Sequence, residues 1–189
     1  MADPVTRSAA RWAAAIALPV ALIAGFVFFR VFTGAAHPEP SRSPTPQSTG
    51  PVAMAAPPLT EQAATICRAV LSQVPASLRD RHRRPVTAGA EQNAAYGDPP
   101  ITLACGSAPA SYPPDADVFN LSGVCWYPAH AASATVWTTV DRTVPVAVTV
   151  PNSYDGQPQW VIEFSPAVGA DPSRPPAPSG CYGGSPTPS

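Results

Sequence analysis

The chain has 189 residues, enough for one domain of ordinary size once non-globular segments are set aside. Its 27 prolines exceed what helices and sheets accommodate, and its net charge of −1 hides a gradient: residues 1–84 carry nine arginines against four acids, whereas residues 85–189 carry two arginines against eight acids. An acidic C-terminal half, with no lysine in the chain and no basic tail, excludes nucleic acid as a general partner.

Residues 1–11 carry Arg7 and Arg11 ahead of W-A-A-A-I-A-L-P-V-A-L-I-A-G-F-V-F-F-R-V-F at 12–32. Within that stretch Ala13 to Phe29 is uncharged for 17 residues, about 26 Å as a helix and close to the thickness of a bilayer core. Arg30 can snorkel to the far interface, which extends the span to Phe32. The positive-inside rule then puts residues 1–11 in the cytoplasm and everything after 32 outside. The expectation is a single-pass signal anchor at 12–32, embedded in the lipid bilayer. A cleaved signal peptide is the alternative, with Gly34-Ala35-Ala36 as its small-residue cut site. Either way the rest of the chain is exported.

Residues 33–58 contain seven prolines among Ser, Thr and Gly and read as a disordered linker. An ordered domain is expected over 59–171. It opens on a helix with Thr60 as N-cap and Glu61 in the first turn. Ala63, Ile66, Cys67, Val70, Leu71 and Val74 share one face, and Pro75 ends it. A second short helix is predicted from about Ala88 to Tyr96, closed by Gly97. Strand patterns follow at Ile101 to Cys105, Val118 to Leu121, Val124 to Tyr127, Ala134 to Val140 and Val144 to Val150. Asp141-Arg142 reads as a tight hairpin between the last two. Pro145 places the last strand at an edge or leaves its start unpaired. Gln159 to Phe164 alternates like a strand but follows chain-breaking Asp155-Gly156 and Pro158. The sum is an α+β fold, two helices on one face of a mainly antiparallel sheet, with Trp126, Trp137 and Trp160 in the core. Residues 172–189 return to Pro, Gly and Ser and form a tail.

The run Y-G-D-P-P-I-T-L-A-C-G at 96–106 resembles the signature of an actinobacterial, mycobacterial-type family called domain of unknown function 3515. The preceding I-C-R-A-V-L and the following L-S-G-V-C-W-Y, T-V-W-T-T-V-D-R-T-V-P-V-A-V-T-V and F-S-P-A-V match it in order, over about residues 59–168. The resemblance implies a small exported or membrane-anchored envelope protein and carries no activity, cofactor or catalytic residue.

Cys67, Cys105, Cys125 and Cys181 form an even set in an exported chain, the pattern of disulfides, and allow three pairings. Their spacing, with no C-x-x-C, does not suit zinc. Joining Cys67 to Cys105 fastens the first helix to the first strand, and the family resemblance implies the same pair, which leaves Cys125 with Cys181. Closing that second loop stabilises a fold by roughly 4 kcal/mol in the chain-entropy model. The rival reading of S-G-V-C-W-Y-P, a papain-like thiol nucleophile at Cys125, lacks the C-G that signature needs before its Ser-Cys-Trp. It also lacks an evident base, His130 being the nearest histidine.

R-D-R-H-R-R at 79–84 concentrates charge. It reads as a solvated loop or, functionally, as an anion-binding patch of Arg79, Arg81, His82, Arg83 and Arg84 for anionic lipid or an envelope polymer. Asp98 in G-D-P-P reads as a turn former. No nucleotide, zincin or hydrolase motif is present, so no catalytic residue, metal or cofactor is expected. The functional expectation is a membrane-anchored extracytoplasmic envelope protein that binds or scaffolds a partner, such as an envelope protein. The rival is a hydrolase-like envelope enzyme whose dyad is assembled from distant residues.

Overall fold

Alternating apolar residues assemble one antiparallel sheet. The computed structural model describes residues 21–30, 47–174 and 181, and the chain divides into two units, Met1–Thr45 and Pro46–Ser189. In the first unit residues 21–30 are helical, with Leu22, Ile23, Phe26, Val27, Phe28 and Phe29 exposed and the Arg30 guanidinium 5.2 Å from the Phe26 ring centroid. Among the described residues no helix is long and apolar enough to cross a membrane, so the transmembrane helix expected at 12–32 is not supported here. Only 21–30 of that span are described. The N-terminal 1–11, the Gly34-Ala35-Ala36 site and tail residues 175–180 and 182–189 lie outside the described residues.

The second unit holds strands β1 (Ser77–Leu78), β2 (Arg81–Arg84), β3 (Asn93–Tyr96), β4 (Ile101–Cys105), β5 (Phe119–Leu121), β6 (Val124–His130), β7 (Ala134–Thr139) and β8 (Val146–Pro151). They pair antiparallel in the order β1-β2-β3-β4-β8-β7-β6-β5. One face presents Tyr96, Ile101, Leu103, Trp126, Trp137, Val146, Val148 and Val150, all buried. Helix α1 (Glu61–Gln73) and the helical turns α2 (Gln157–Val161), Ile162–Phe164 and α3 (Ser165–Val168) pack with this face in one hydrophobic core. The Thr60 hydroxyl accepts from the Ala63 N–H at 3.2 Å, and α1 buries Cys67, Val70 and Leu71 before the extended Val74 ends it. Trp126, Trp137 and Trp160 are 0 %, 3 % and 7 % exposed, as the apolar patterning requires.

Two expectations are corrected and one ambiguous stretch is resolved. Residues 88–96 do not form a helix: Gly89, at φ +61°, starts a turn whose carbonyl accepts from Gln92 and Asn93, and Asn93–Tyr96 becomes a fully buried strand. Pairing on both sides and burial of Tyr96, whose hydroxyl donates to the Pro75 carbonyl at 2.7 Å, outweigh the helix preference of two alanines. Gln159–Phe164 is helical, because Gly156 turns the chain at φ +62° and Pro158 sits in the first helical turn. That puts Trp160, Val161, Phe164, Ala167 and Val168 at helical spacing into the core. Asp141 and Arg142 are not a two-residue hairpin; they belong to a six-residue connection, 140–145, because both side chains turn inward. β8 starts after Pro145 and is central, so of the two alternatives for that proline, an unpaired start is the one found.

Residues 47–58, the last part of the segment read as linker, lie along the other face of the sheet. Val52 bridges Val86, and side chains bind backbone carbonyls: Arg84 to Gly50, Asn93 to Ala55 and Gln92 to Pro57. We refer to this stretch as the strap.

Candidate functional site

The arginine-rich stretch forms the β1–β2 hairpin, and the sheet's alternation splits it. Arg79, at φ +53° in the turn, lays its guanidinium 4.7 Å from the Trp160 ring centroid, donates to the Gln159 carbonyl at 3.2 Å and lies 3.7 Å from Glu163. Trp160 meets Tyr154 edge-on at 5.1 Å, and the Arg81 guanidinium lies 5.5 Å from the Tyr154 ring centroid. The four side chains alternate cation, ring, ring, cation and tie the hairpin to α2. Arg84 points to the opposite face. Its side chain is 10 % exposed and donates to Gly50 O at 2.8 and 3.0 Å, Gly97 O at 2.9 Å and Ser48 Oγ at 3.1 Å, with Asp98 at 3.9 Å. Arg79, Arg81 and Arg84 are thus occupied within the domain. His82 and Arg83 are exposed, and among the described residues neither side chain has a hydrogen bond or ion pair. Burial raises the Tyr96 pKa, a rise offset in part by the Arg83 charge across the β2–β3 pair. Tyr154 is raised by burial too, opposed by Arg81 and reinforced by Asp98 and Asp80.

A second cluster escaped the sequence. Around the 140–145 connection, Asp141 (1 % exposed) accepts the Cys125 N–H at 3.1 Å and lies 3.4 Å from Arg142 Nε. Arg142 donates to Gly123 O at 2.6 Å and Asp171 O at 3.2 Å. The Asp171 carboxylate, fully buried, accepts the Val144 N–H at 3.1 Å. Burial pushes its pKa from 3.8 up to about 6; the Val144 N–H, Arg142 and the Thr143 N–H oppose that rise, and Asp141 adds to it. These groups pin the chain after α3 to the sheet. Asp171 stands beside the Pro/Ser-rich tail, with no local pattern that marks it as buried.

All four cysteines are paired: Cys67 with Cys105 and Cys125 with Cys181, each with Cα atoms 5.6 Å apart. Cys125 therefore has no thiol to act as a nucleophile. Among the described residues Cys125, Asp141 and Cys181 bring ligand-type atoms within 4.8 Å of one another, yet sulfurs bonded to each other are not thiolate ligands. His130 Nδ1 faces Thr135 Oγ1 at 3.1 Å.

The family model described as Protein of unknown function (DUF3515) matches residues 16–176. The chain belongs to this family. DUF3515 is defined without an activity, and its match spans the core strands and the runs at 96–106, 121–127 and 135–150 that carry the resemblance. No curated protein and no solved structure matches the chain.

Proposed function

We propose that this DUF3515 protein is a membrane-tethered, extracytoplasmic cell-envelope module that binds or scaffolds a partner and does not catalyse a reaction. The observation that carries the address is the use of every cysteine in a disulfide. Such bonds persist in oxidising compartments and are rare in a reducing cytosol. The uncharged run Ala13 to Phe29 behind Arg7 and Arg11 supplies a tether whose orientation agrees with that address. On the domain, the exposed Arg83 and His82 offer the surface that an anionic lipid or envelope polymer would meet.

The test is a pair of reporters fused after Ser189, one active only outside the cytoplasm and one only inside, together with alkylation of intact cells before lysis. The outward reporter should be active, the full-length chain should fractionate with membranes, and no thiol should be alkylated. Activity of the inward reporter with four alkylated cysteines would refute the proposal.

A further inference from the structure

Between the strap and the face of the sheet away from the helices lies a cavity of about 340 Å³, lined among others by Met54, Pro57, Asn93, Thr102, Ala104 and Thr149. Its size falls in the range of small-molecule sites. Among the described residues no charged side chain lines it. Asn93 is 1 % exposed, and its Nδ2 donates to Ala55 O at 2.9 Å and Ala88 O at 3.0 Å. Those two bonds fix the orientation of the amide, because a flipped group would set its oxygen against two carbonyls. Among the described residues Asn93 Oδ1, a buried acceptor, has no hydrogen-bond partner. Buried acceptors of this kind are ordinarily satisfied, so an orphan at a cavity wall asks for a donor from outside the chain. Across the β4–β8 pair, where Thr102 faces Thr149, two hydroxyls have no hydrogen-bond partner among the described residues and can donate. Met54, Pro57 and Ala104 supply apolar wall around these groups.

We propose that this cavity binds a small, uncharged, peptide-like ligand: a secondary amide whose N–H meets Asn93 Oδ1, whose carbonyl accepts from Thr102 or Thr149, and whose aliphatic substituents lie on Met54 and Ala104. One amide carries both complements, an N–H for the orphan acceptor and a carbonyl for the hydroxyls. A carboxylate or ammonium ligand finds no counter-charge there. The proposal deepens the binding-module reading and rests on it, but it is independent of where the protein resides.

The probe is N-acetyl-alanine methylamide, titrated into the full-length chain in detergent and followed by NMR at the Asn93 side-chain amide and the Thr102 and Ser107 backbone amides. Saturable shifts are expected, with a dissociation constant on the order of 1–10 mM for so small a molecule. Thr149→Val keeps the shape, removes a hydroxyl and should weaken binding by about threefold to tenfold. Thr149→Phe fills the cavity and should abolish binding. N-acetyl-alanine, the free acid, should bind at least about tenfold more weakly because its charge is desolvated without a partner. Both variants are first shown to keep their disulfides and tryptophan emission. Absence of saturable shifts, unchanged binding in Thr149→Phe, or equal binding of the acid would each overturn the proposal. None of these results bears on export, which the reporter fusions decide separately.

Discussion

Replacing Asp171 by asparagine should remove a defined pH dependence from the fold. Asp171 is fully buried, and its carboxyl titrates near 6 in the folded protein against 3.8 in an unfolded chain. The folded state therefore holds this proton more tightly than the unfolded state. Stability from this group is complete below about pH 4 and is lost as pH rises through 6. At about 1.4 kcal/mol for each tenfold change in proton affinity, the loss between pH 3.5 and pH 7 amounts to about 3 kcal/mol. Asparagine keeps the shape and an oxygen for the Val144 N–H but cannot ionise. The assay is urea unfolding of the full-length chain in detergent, followed by the emission of buried Trp126, Trp137 and Trp160, at half-unit steps from pH 4 to 7. The difference between wild type and Asp171→Asn cancels most other titrating groups. It should grow with pH, the variant gaining up to about 3 kcal/mol on wild type toward pH 7, while whatever the new amide N–H₂ loses beside Arg142 shifts the whole profile by a constant. Parallel pH profiles, or a variant that loses stability above pH 6, would show that Arg142 outweighs burial and refute the reasoning.

Other outcomes follow from the same contacts. Replacing Cys125 and Cys181 together by serine should lower stability by about 4 kcal/mol in the same unfolding assay, and reduction of the wild type, which opens both disulfides, should cost at least as much; an unchanged midpoint in the variant would mean that the 56-residue separation places no constraint on the unfolded chain. Arg84→Gln removes the donors that hold Gly50 and Gly97 and should cost about 2–3 kcal/mol, with new protease cleavage within residues 48–57, whereas the exposed Arg83→Gln should stay within about 0.5 kcal/mol of wild type. The same pair separates stability from binding: on anionic vesicles at low salt, Arg83→Gln is the change that should weaken attachment. Tyr96→Phe leaves the Pro75 carbonyl without its donor and should cost about 1–2 kcal/mol by thermal or urea unfolding.

Helix Glu61–Gln73 and strand Ile101–Cys105 were legible from sequence because each writes its period plainly: a three-and-four stripe after a Thr cap, and a strict two-fold alternation. The Cys67–Cys105 pair was legible because it joins those two elements and the family resemblance implies it, and Cys125–Cys181 followed as the remaining pair. β3 was not. Asn-Ala-Ala-Tyr has no alternation to read, since all four residues are buried, and its strand state is imposed by β2 and β4 on either side. Likewise Trp160, Ile162 and Phe164 alternate, yet Ile162 is exposed and the helical partners Trp160, Val161 and Phe164 face the core, a choice made by the turn at Gly156. The arginine cluster was visible as charge, but which of its side chains are occupied depends on partners far along the chain, Trp160 and the Gln159 carbonyl for Arg79 and the Gly50 carbonyl for Arg84. Asp171 and Asn93 gave no signal, because a buried polar residue is defined by what surrounds it.

The two cross-links also set an order of assembly. With residues 1–11 kept in the cytoplasm as proposed, the chain after the anchor would emerge in sequence order, Cys67 and then Cys105 before either remaining cysteine, and those two belong together. Once they have closed, Cys125 arrives with no free neighbour to mispair with and must wait for Cys181, which follows the last core helix. Under the proposed export, the observed pairing is the one that first-come, first-joined oxidation would produce.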